Sequence, residues 1–225
     1  MQSVFADWLN QTFFAFDQSI LSFYHNLALV CGGILTPLMR AMTFIGEKGI
    51  LMFALAFLLM LFAKTRKSGV CIFGAVCCGA LITNILLKGT VCRLRPFELY
   101  EEFTEFWQFV GVPAESGYSF PSGHVTAAAA GMTALWLSLG KKYLSLAIPY
   151  VSLMAISRNY LMAHYPTDVI AAALIGILSA VIAFFITKGI YFVLTSYEKV
   201  KFFAFLLNFD IKNAIIQIHK KKEHQ

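Results

Sequence analysis

The sequence predicts an all-α fold, a polytopic membrane helix bundle of about six transmembrane helices, each needing roughly 20 apolar residues to cross. Three observations predict it. The chain of 225 residues is 59% hydrophobic and only 13% charged, with a mean hydropathy of +0.71, well beyond what a soluble domain carries. Its apolar residues fall into separate runs that are long enough, or nearly so, to span a bilayer. Its basic residues collect in short clusters beside those runs, where they fix topology and meet anionic lipid. The net charge of +6 is therefore assigned to the membrane, and no nucleic-acid partner is expected.

Taken in order, residues 1–18 carry Asp7 and Asp17 but no Lys or Arg, so they lack the basic start of a cleavable signal peptide. Residues 19–42 are apolar but hold His25 and Arg40, and are expected as a first span, the alternative being an interfacial helix. Runs at residues 49–63, 68–87, 124–139, 143–156 and 169–187 are each expected to cross. In the long connection of residues 96–121, Phe103, Phe106, Trp107 and Val110 recur at helical spacing. They read as an interfacial helix, with a substrate lid as the alternative.

Residues 1–188 thus form a membrane-embedded domain. Residues 189–225 read as a basic amphipathic cytoplasmic tail, in which Phe202, Phe203, Phe205, Leu206 and Leu207 mix with Lys199, Lys201 and Lys212 before the closing Lys220, Lys221 and Lys222. The five cysteines, Cys31, Cys71, Cys77, Cys78 and Cys92, contain no C-x-x-C pair and support neither a disulfide framework nor a zinc site.

Lys64, Arg66 and Lys67, then Lys141 and Lys142, then Lys188 all fall on one side if the clear runs each cross once, and that side is cytoplasmic by the positive-inside rule. The chemically interesting residues fall on the other, extracytoplasmic side, in three segments. Lys88 ends an apolar run, where a lysine ordinarily snorkels, and Arg93 and Arg95 are either head-group contacts or the partners of a nearby anion. Pro121 fits the first turn of a helix whose start would present the N–H groups of Ser122, Gly123 and His124 at a positive dipole end, a ready phosphate cradle.

The third segment is Ser157-Arg158, followed by His164 and Asp168. Four residues apart, His164 and Asp168 share a helical face, so the carboxylate can hold the imidazole tautomer, although Asp168 also suits a helix cap. Fixed positive charges, a helix N-terminus, a histidine with a carboxylate partner and a second histidine are the inventory that phosphoryl transfer asks for.

The pattern Lys88-x6-Arg95-Pro96, Pro121-Ser122-Gly123-His124, and Ser157-Arg158-x5-His164-x3-Asp168 resembles the three-part signature of the type 2 phosphatidic acid phosphatases, with every signature residue present between residues 88 and 168. The resemblance implies a six-helix membrane bundle in the plasma membrane and a two-step, metal-independent reaction. In it His164 attacks phosphorus to give a phosphohistidine, Asp168 orients His164, and His124 protonates the departing oxygen and then serves as base for water. It further implies that Lys88, Arg95 and Arg158 clamp the non-bridging oxygens together with Ser122 and Gly123, with no cofactor. Glu98, Glu101, Glu102 and Glu105 read as solvated rather than as a magnesium site. The implied partner is a lipid phosphate or diphosphate, with undecaprenyl diphosphate favoured over phosphatidylglycerophosphate or phosphatidic acid. A lipid phosphotransferase, an anion or lipid transporter and a haloperoxidase are the competing classes. Oligomeric state is not legible.

Overall fold

Gly32 and Gly33, with φ of +55° and +73°, interrupt the first apolar stretch with two left-handed residues that only glycine adopts freely. In the computed structural model, which describes residues 2–213 and 215–216, this break separates α1 (Val4–Val30) from α2 (Thr36–Ile45). A 3-10 turn at Glu47–Gly49 joins α2 to α3 (Ile50–Met60). After a short basic turn, α4 (Arg66–Ala80) passes through a wider π turn, Leu81–Leu87, into α5 (Lys88–Val91). The long connection folds into α6 (Pro96–Leu99) and α7 (Glu101–Val110). Then come α8 (Gly123–Leu139), α9 (Leu144–Tyr160), α10 (Pro166–Ser196) and α11 (Lys201–Asn208). There is no strand among the described residues.

Thr36–Met60, Arg66–Leu99 and Pro166–Ser196 are long and apolar enough to cross a membrane by length and composition. Helices α8 and α9 have 17 residues each, which at 1.5 Å per residue is about 25 Å. The centre of the bundle is α8, packed between α4, α9 and α10. It is built from Ala128, Ala129, Ala130, Gly131 and Ala134, all buried, so neighbouring backbones come close. A Cβ on Gly176 of α10 would sit 2.7 Å from the Thr126 carbonyl and 2.6 Å from the Ala129 Cβ. Only glycine permits that approach. The larger side chains Met52, Ile72 and Leu135 fill the interior of the bundle, and Val76 from the same cluster reaches the wall of a cavity at one end.

Three expectations change. Residues 19–42 are not one spanning helix. Helix α1 begins at Val4, and its contacts all lie at one end of the bundle. The Ser3 hydroxyl donates to the Val91 carbonyl at 2.6 Å, Asp17 meets Thr167, and Ala28 packs with Val110, Tyr160 and Leu161. Helix α1 therefore lies across that end, because Asp7 and Asp17 and the glycine break disfavour a crossing and the carboxylate of Asp17 finds partners there.

The second change concerns α7. Phe103 and Phe106 are buried against Leu21, Met162 and Tyr165, and Val110 joins the Tyr160 cluster, so α7 packs as part of the protein core under α1 rather than floating on lipid. The third is Pro121, which precedes the Ser122 N-cap instead of occupying the first turn of α8.

Beyond Lys188, α10 runs on unbroken to Ser196. The chain after α11 returns to the basic turn before α4. There the Asp210 carboxylate accepts from the Ala63 N–H at 3.0 Å and Arg66 donates to the Leu207 carbonyl at 3.1 Å. Lys220, Lys221 and Lys222 lie outside the described residues.

Candidate active site

At the end of the bundle covered by α1, the three sequence segments converge. Lys88, Arg95, Gly123, His124 and His164 line one cavity of about 250 Å³. A wider chamber of about 540 Å³ shares Lys48, Glu115, Ser116 and His124 with it and is roofed by Phe97 and Trp107, whose rings stack at 4.9 Å. Each predicted side chain has a local reason for its place. The π turn contributes Thr83 and Asn84 to the cavity wall and changes the helical phase just before Lys88. Arg95 is fixed by Pro96 at the first position of α6, with its own N–H capped by Glu98 at 2.7 Å. Glu98 is thus a cap, whereas Glu101, Glu102 and Glu105 are exposed as expected.

Ser122 is the N-cap of α8, so the first N–H groups of that helix, at Gly123 and His124, have no partner within it. The Ser122 hydroxyl, the His124 Nε2 and the Arg158 Nε are buried polar atoms with no hydrogen-bond partner in the protein. Buried polar atoms ordinarily find partners. Of these orphans, His124 lines the cavity, Ser122 directly precedes Gly123 on its wall, and Arg158 reaches it through its ion pair with Glu115; with Lys88 and Arg95 also on the wall, the arrangement offers donors suited to an anion.

Arg95 and Arg158 are each no more than 1% exposed. Arg95 donates to the carbonyls of Gly117 at 3.0 Å, Ala163 at 2.7 Å and Ser116 at 3.2 Å. Arg158 donates to the Thr43 hydroxyl at 3.0 Å. Both also reach Glu115: Arg95 at 3.2 Å, and Arg158 through a direct ion pair. Burial opposes ionisation of Glu115, but the charges of Arg158 and Arg95 outweigh it and hold the carboxyl at about 2.

His164 sits in the turn between α9 and α10, beside Met162, whose φ of 55° is unusual for a non-glycine residue. Its backbone carbonyl accepts from Asn159 at 2.9 Å. The His164 Nδ1 lies 3.7 Å from an Asp168 oxygen, slightly beyond a direct hydrogen bond, and 3.5 Å from the Ser119 hydroxyl. Ser119 donates to that same Asp168 oxygen at 2.5 Å, so its hydroxyl sits beside the pair and within reach of both. Burial pushes His164 down, Arg95 and Arg158 add to that, and Asp168 pulls the other way, leaving it at about 4. That direction favours the neutral imidazole, and His164 lines the cavity.

Asp168 is not the N-cap of α10, which is Tyr165, but from the third position of the helix it accepts from the Tyr165 N–H at 3.0 Å while its carboxylate also lies near His164. Its other oxygen accepts from Arg93 at 2.6 Å. Arg93 is buried, not a head-group contact. It donates to Asn10 at 2.8 Å, Thr167 at 2.8 Å and Asp17 at 2.9 Å, and its guanidinium lies 3.8 Å over the Tyr165 ring.

Sequence reasoning missed Ser119, Glu115 and the pairing of Asp17 with Arg93. Only Asp17 carried a signal: an aspartate set among Phe13, Phe14, Phe16, Ile20 and Leu21 has to find a buried partner. Among the described residues no group of three or more His, Cys, Asp and Glu side chains is placed to hold a metal ion.

The family model described as the PAP2 superfamily matches residues 68–191, which include Lys88 through Asp168 and exclude α1. An undecaprenyl-diphosphatase of Sulfolobus acidocaldarius is 32% identical over 119 residues, 53% of this chain and 55% of that protein. The chain thus spans about half the length of the curated relative it matches. Among solved structures, LpxE of Aquifex aeolicus is similar with a TM-score of 0.57 and 26% identity, over 67% of this chain and 85% of that one. A PAP2-type phosphatidylglycerolphosphate phosphatase of Bacillus subtilis shares the fold, with a TM-score of 0.52 and 24% identity over 86% and 98% of the two chains.

Proposed function

The chain belongs to the PAP2 superfamily, and from that premise we propose that it is an integral-membrane lipid phosphatase working through a phosphohistidine on His164. The observation that carries the reading is that Lys88, Arg95, Gly123 at the N-terminus of α8, His124 and His164 line one cavity, beside the unpartnered Ser122 hydroxyl and Arg158, which reaches the cavity through Glu115.

In the first step the Nε2 lone pair of neutral His164 forms a bond to phosphorus as the bond to the leaving oxygen breaks, and His124 gives that oxygen a proton. A dianionic phosphate beside His124 favours the imidazolium required. In the second step water attacks phosphorus, the P–N bond breaks, and His124 takes the proton from water. Arg95, Arg158 and Lys88 neutralise the equatorial oxygens throughout, without a metal. Asp168, held by Arg93 and linked to His164 through Ser119, stabilises positive charge on His164.

The site faces outside in this reading. The clusters Lys64, Arg66, Lys67 and Lys141, Lys142 lie at the ends of α3 and α8 remote from the cavity. Five crossings support it: Thr36–Met60, the α4–α5 stretch, α8, α9 and α10, with α1 lying across the outer end. Undecaprenyl diphosphate is the proposed substrate. The relative named as an undecaprenyl-diphosphatase supports it, and the wider chamber offers Arg40 and Lys48 for a second phosphate next to the first.

The test is phosphate release in detergent with EDTA from undecaprenyl diphosphate, phosphatidylglycerophosphate and phosphatidic acid, with His164→Ala alongside. Fastest release from the diphosphate and a dead variant are expected. Strict magnesium dependence, or a clear preference for phosphatidylglycerophosphate, overturns the corresponding part.

A further inference from the structure

Arg95 and Arg158 are fully buried like charges side by side, and the group that compensates them is neither Asp168 nor a backbone carbonyl but Glu115. Its two oxygens divide between the two guanidinium groups, Oε2 to Arg95 and Oε1 to Arg158, the same fork a phosphate offers with two non-bridging oxygens. The remaining contacts of Arg95 are to the carbonyls of Ser116, Gly117 and Ala163, which hold its orientation and do not compete with an anion.

Glu115 is the one of these partners built to leave. It is 32% exposed while the arginines are closed off. It rides on the segment between α7 and α8, bounded by Gly111 and Gly117, both at positive φ (65° and 78°). Glu115 and Ser116 line both the inner cavity and the wider chamber, so a shift of this segment changes the passage between them.

We propose that Glu115 is an exchangeable counter-anion: it occupies the Arg95–Arg158 seat in the empty site, yields to the substrate phosphate, and returns to displace the product phosphate. The proposal rests on reading Lys88, Arg95 and Arg158 as the phosphate clamp. A clamp of three cations that grips a transferring phosphoryl group also grips inorganic phosphate, which slows release. An internal carboxylate competing for the same two guanidinium groups weakens the product by the free energy needed to displace it, while keeping the buried arginines compensated between turnovers. Glu115 is thus a positioning residue, acting on phosphate through the arginines.

The test is binding of inorganic phosphate to the purified full chain in detergent by calorimetry, for wild type, Glu115→Gln and Glu115→Asp. Glu115→Gln, nearly isosteric, is expected to bind phosphate about tenfold or more tightly, the size of one charged hydrogen-bond partner that no longer has to be displaced. Its kcat is expected to fall while KM falls with it, as product release slows. Glu115→Asp keeps the charge but is a methylene too short to reach both arginines, and is expected to lie between. It carries the comparison if Glu115→Gln does not fold.

A purely structural ion pair would lower thermal stability and leave phosphate affinity unchanged or weaker in both variants; that result overturns the proposal. If neither wild type nor the folded variants bind phosphate, the clamp reading itself fails, and the exchange with it. Because the readout is binding, it decides the point even if no tested lipid is hydrolysed.

Discussion

Replacing Asp17 by asparagine should damage both stability and turnover, although Asp17 lies in α1, far in sequence from every signature residue and outside the stretch matched by the family model. Its carboxylate accepts from Arg93 at 2.9 Å, from the Thr167 N–H at 2.9 Å and from the Thr167 hydroxyl at 2.8 Å, and it is 1% exposed. Asparagine retains the shape and one acceptor oxygen but loses the charge and half of the acceptor set.

Arg93 is then left with Asp168 as its one carboxylate. Removing one partner of a buried pair costs about 3–5 kcal/mol; because Asp168 still compensates Arg93, the lower end, about 3 kcal/mol, applies here. For a chain of this size that is a fall in Tm of about 6–12 °C. Arg93 is also pulled wholly onto Asp168, which weakens the hold of Asp168 on Ser119 and His164. The expected result is kcat reduced about tenfold with KM little changed, since one charged hydrogen bond of about 1.5 kcal/mol is at stake. Thermal unfolding in detergent and steady-state phosphate release measure the two. A Tm within about 1 °C of wild type together with unchanged kcat would refute the reasoning that α1 braces the site through Arg93.

Other perturbations give equally definite expectations. Because His164 is held at about 4, its lone pair is lost only below that pH, so the acid limb of kcat/KM assigned to the nucleophile should lie near pH 4 rather than 6.5. The same depression means the unfolded chain takes up a proton that the folded chain refuses; the stability linked to His164 is present above about 6.5 and is lost as pH falls towards 4, visible as a declining Tm. Ser119→Ala removes the hydroxyl that donates to Asp168 beside His164, and kcat should drop about tenfold with the fold intact, as one charged hydrogen bond is lost. Gly176→Ala drives a Cβ to 2.6 Å from Ala129 and 2.7 Å from the Thr126 carbonyl, and should destabilise by about 1–3 kcal/mol without a specific effect on KM.

Much of the site was legible because its chemistry is unusual where it stands. Ionisable side chains next to apolar runs have to be paired or used, and Lys88, Arg95, His124, Arg158, His164 and Asp168 are brought to one end of the bundle. The apolar runs at residues 68–87, 124–139 and 169–187 became α4 with its π turn, α8 and α10, with ends within three residues except that α10 runs on nine residues further, to Ser196. What escaped depends on contacts between distant segments. Arg93 stands two residues before Arg95 in the same loop and looks the same in sequence, yet one turns to Asp17 and Asp168 and the other to Glu115. Glu115 sits in a segment with no helical period, and nothing local says which cation it meets. The course of α1 stayed open between a span and an interfacial helix because hydrophobicity alone does not tell a helix that crosses from one that lies across the end. The glycine break and Asp17 decided it.

The central claim is that a phosphoryl group passes through His164, and the most direct measurement is a rapid base quench of the first turnover with a phosphorus-labelled substrate, followed by mapping of the protein-bound label. The account predicts an acid-labile, base-stable label on His164 that appears and decays within turnover and is missing in His164→Ala. Label on any other side chain, or the same label persisting in His164→Ala, would contradict it.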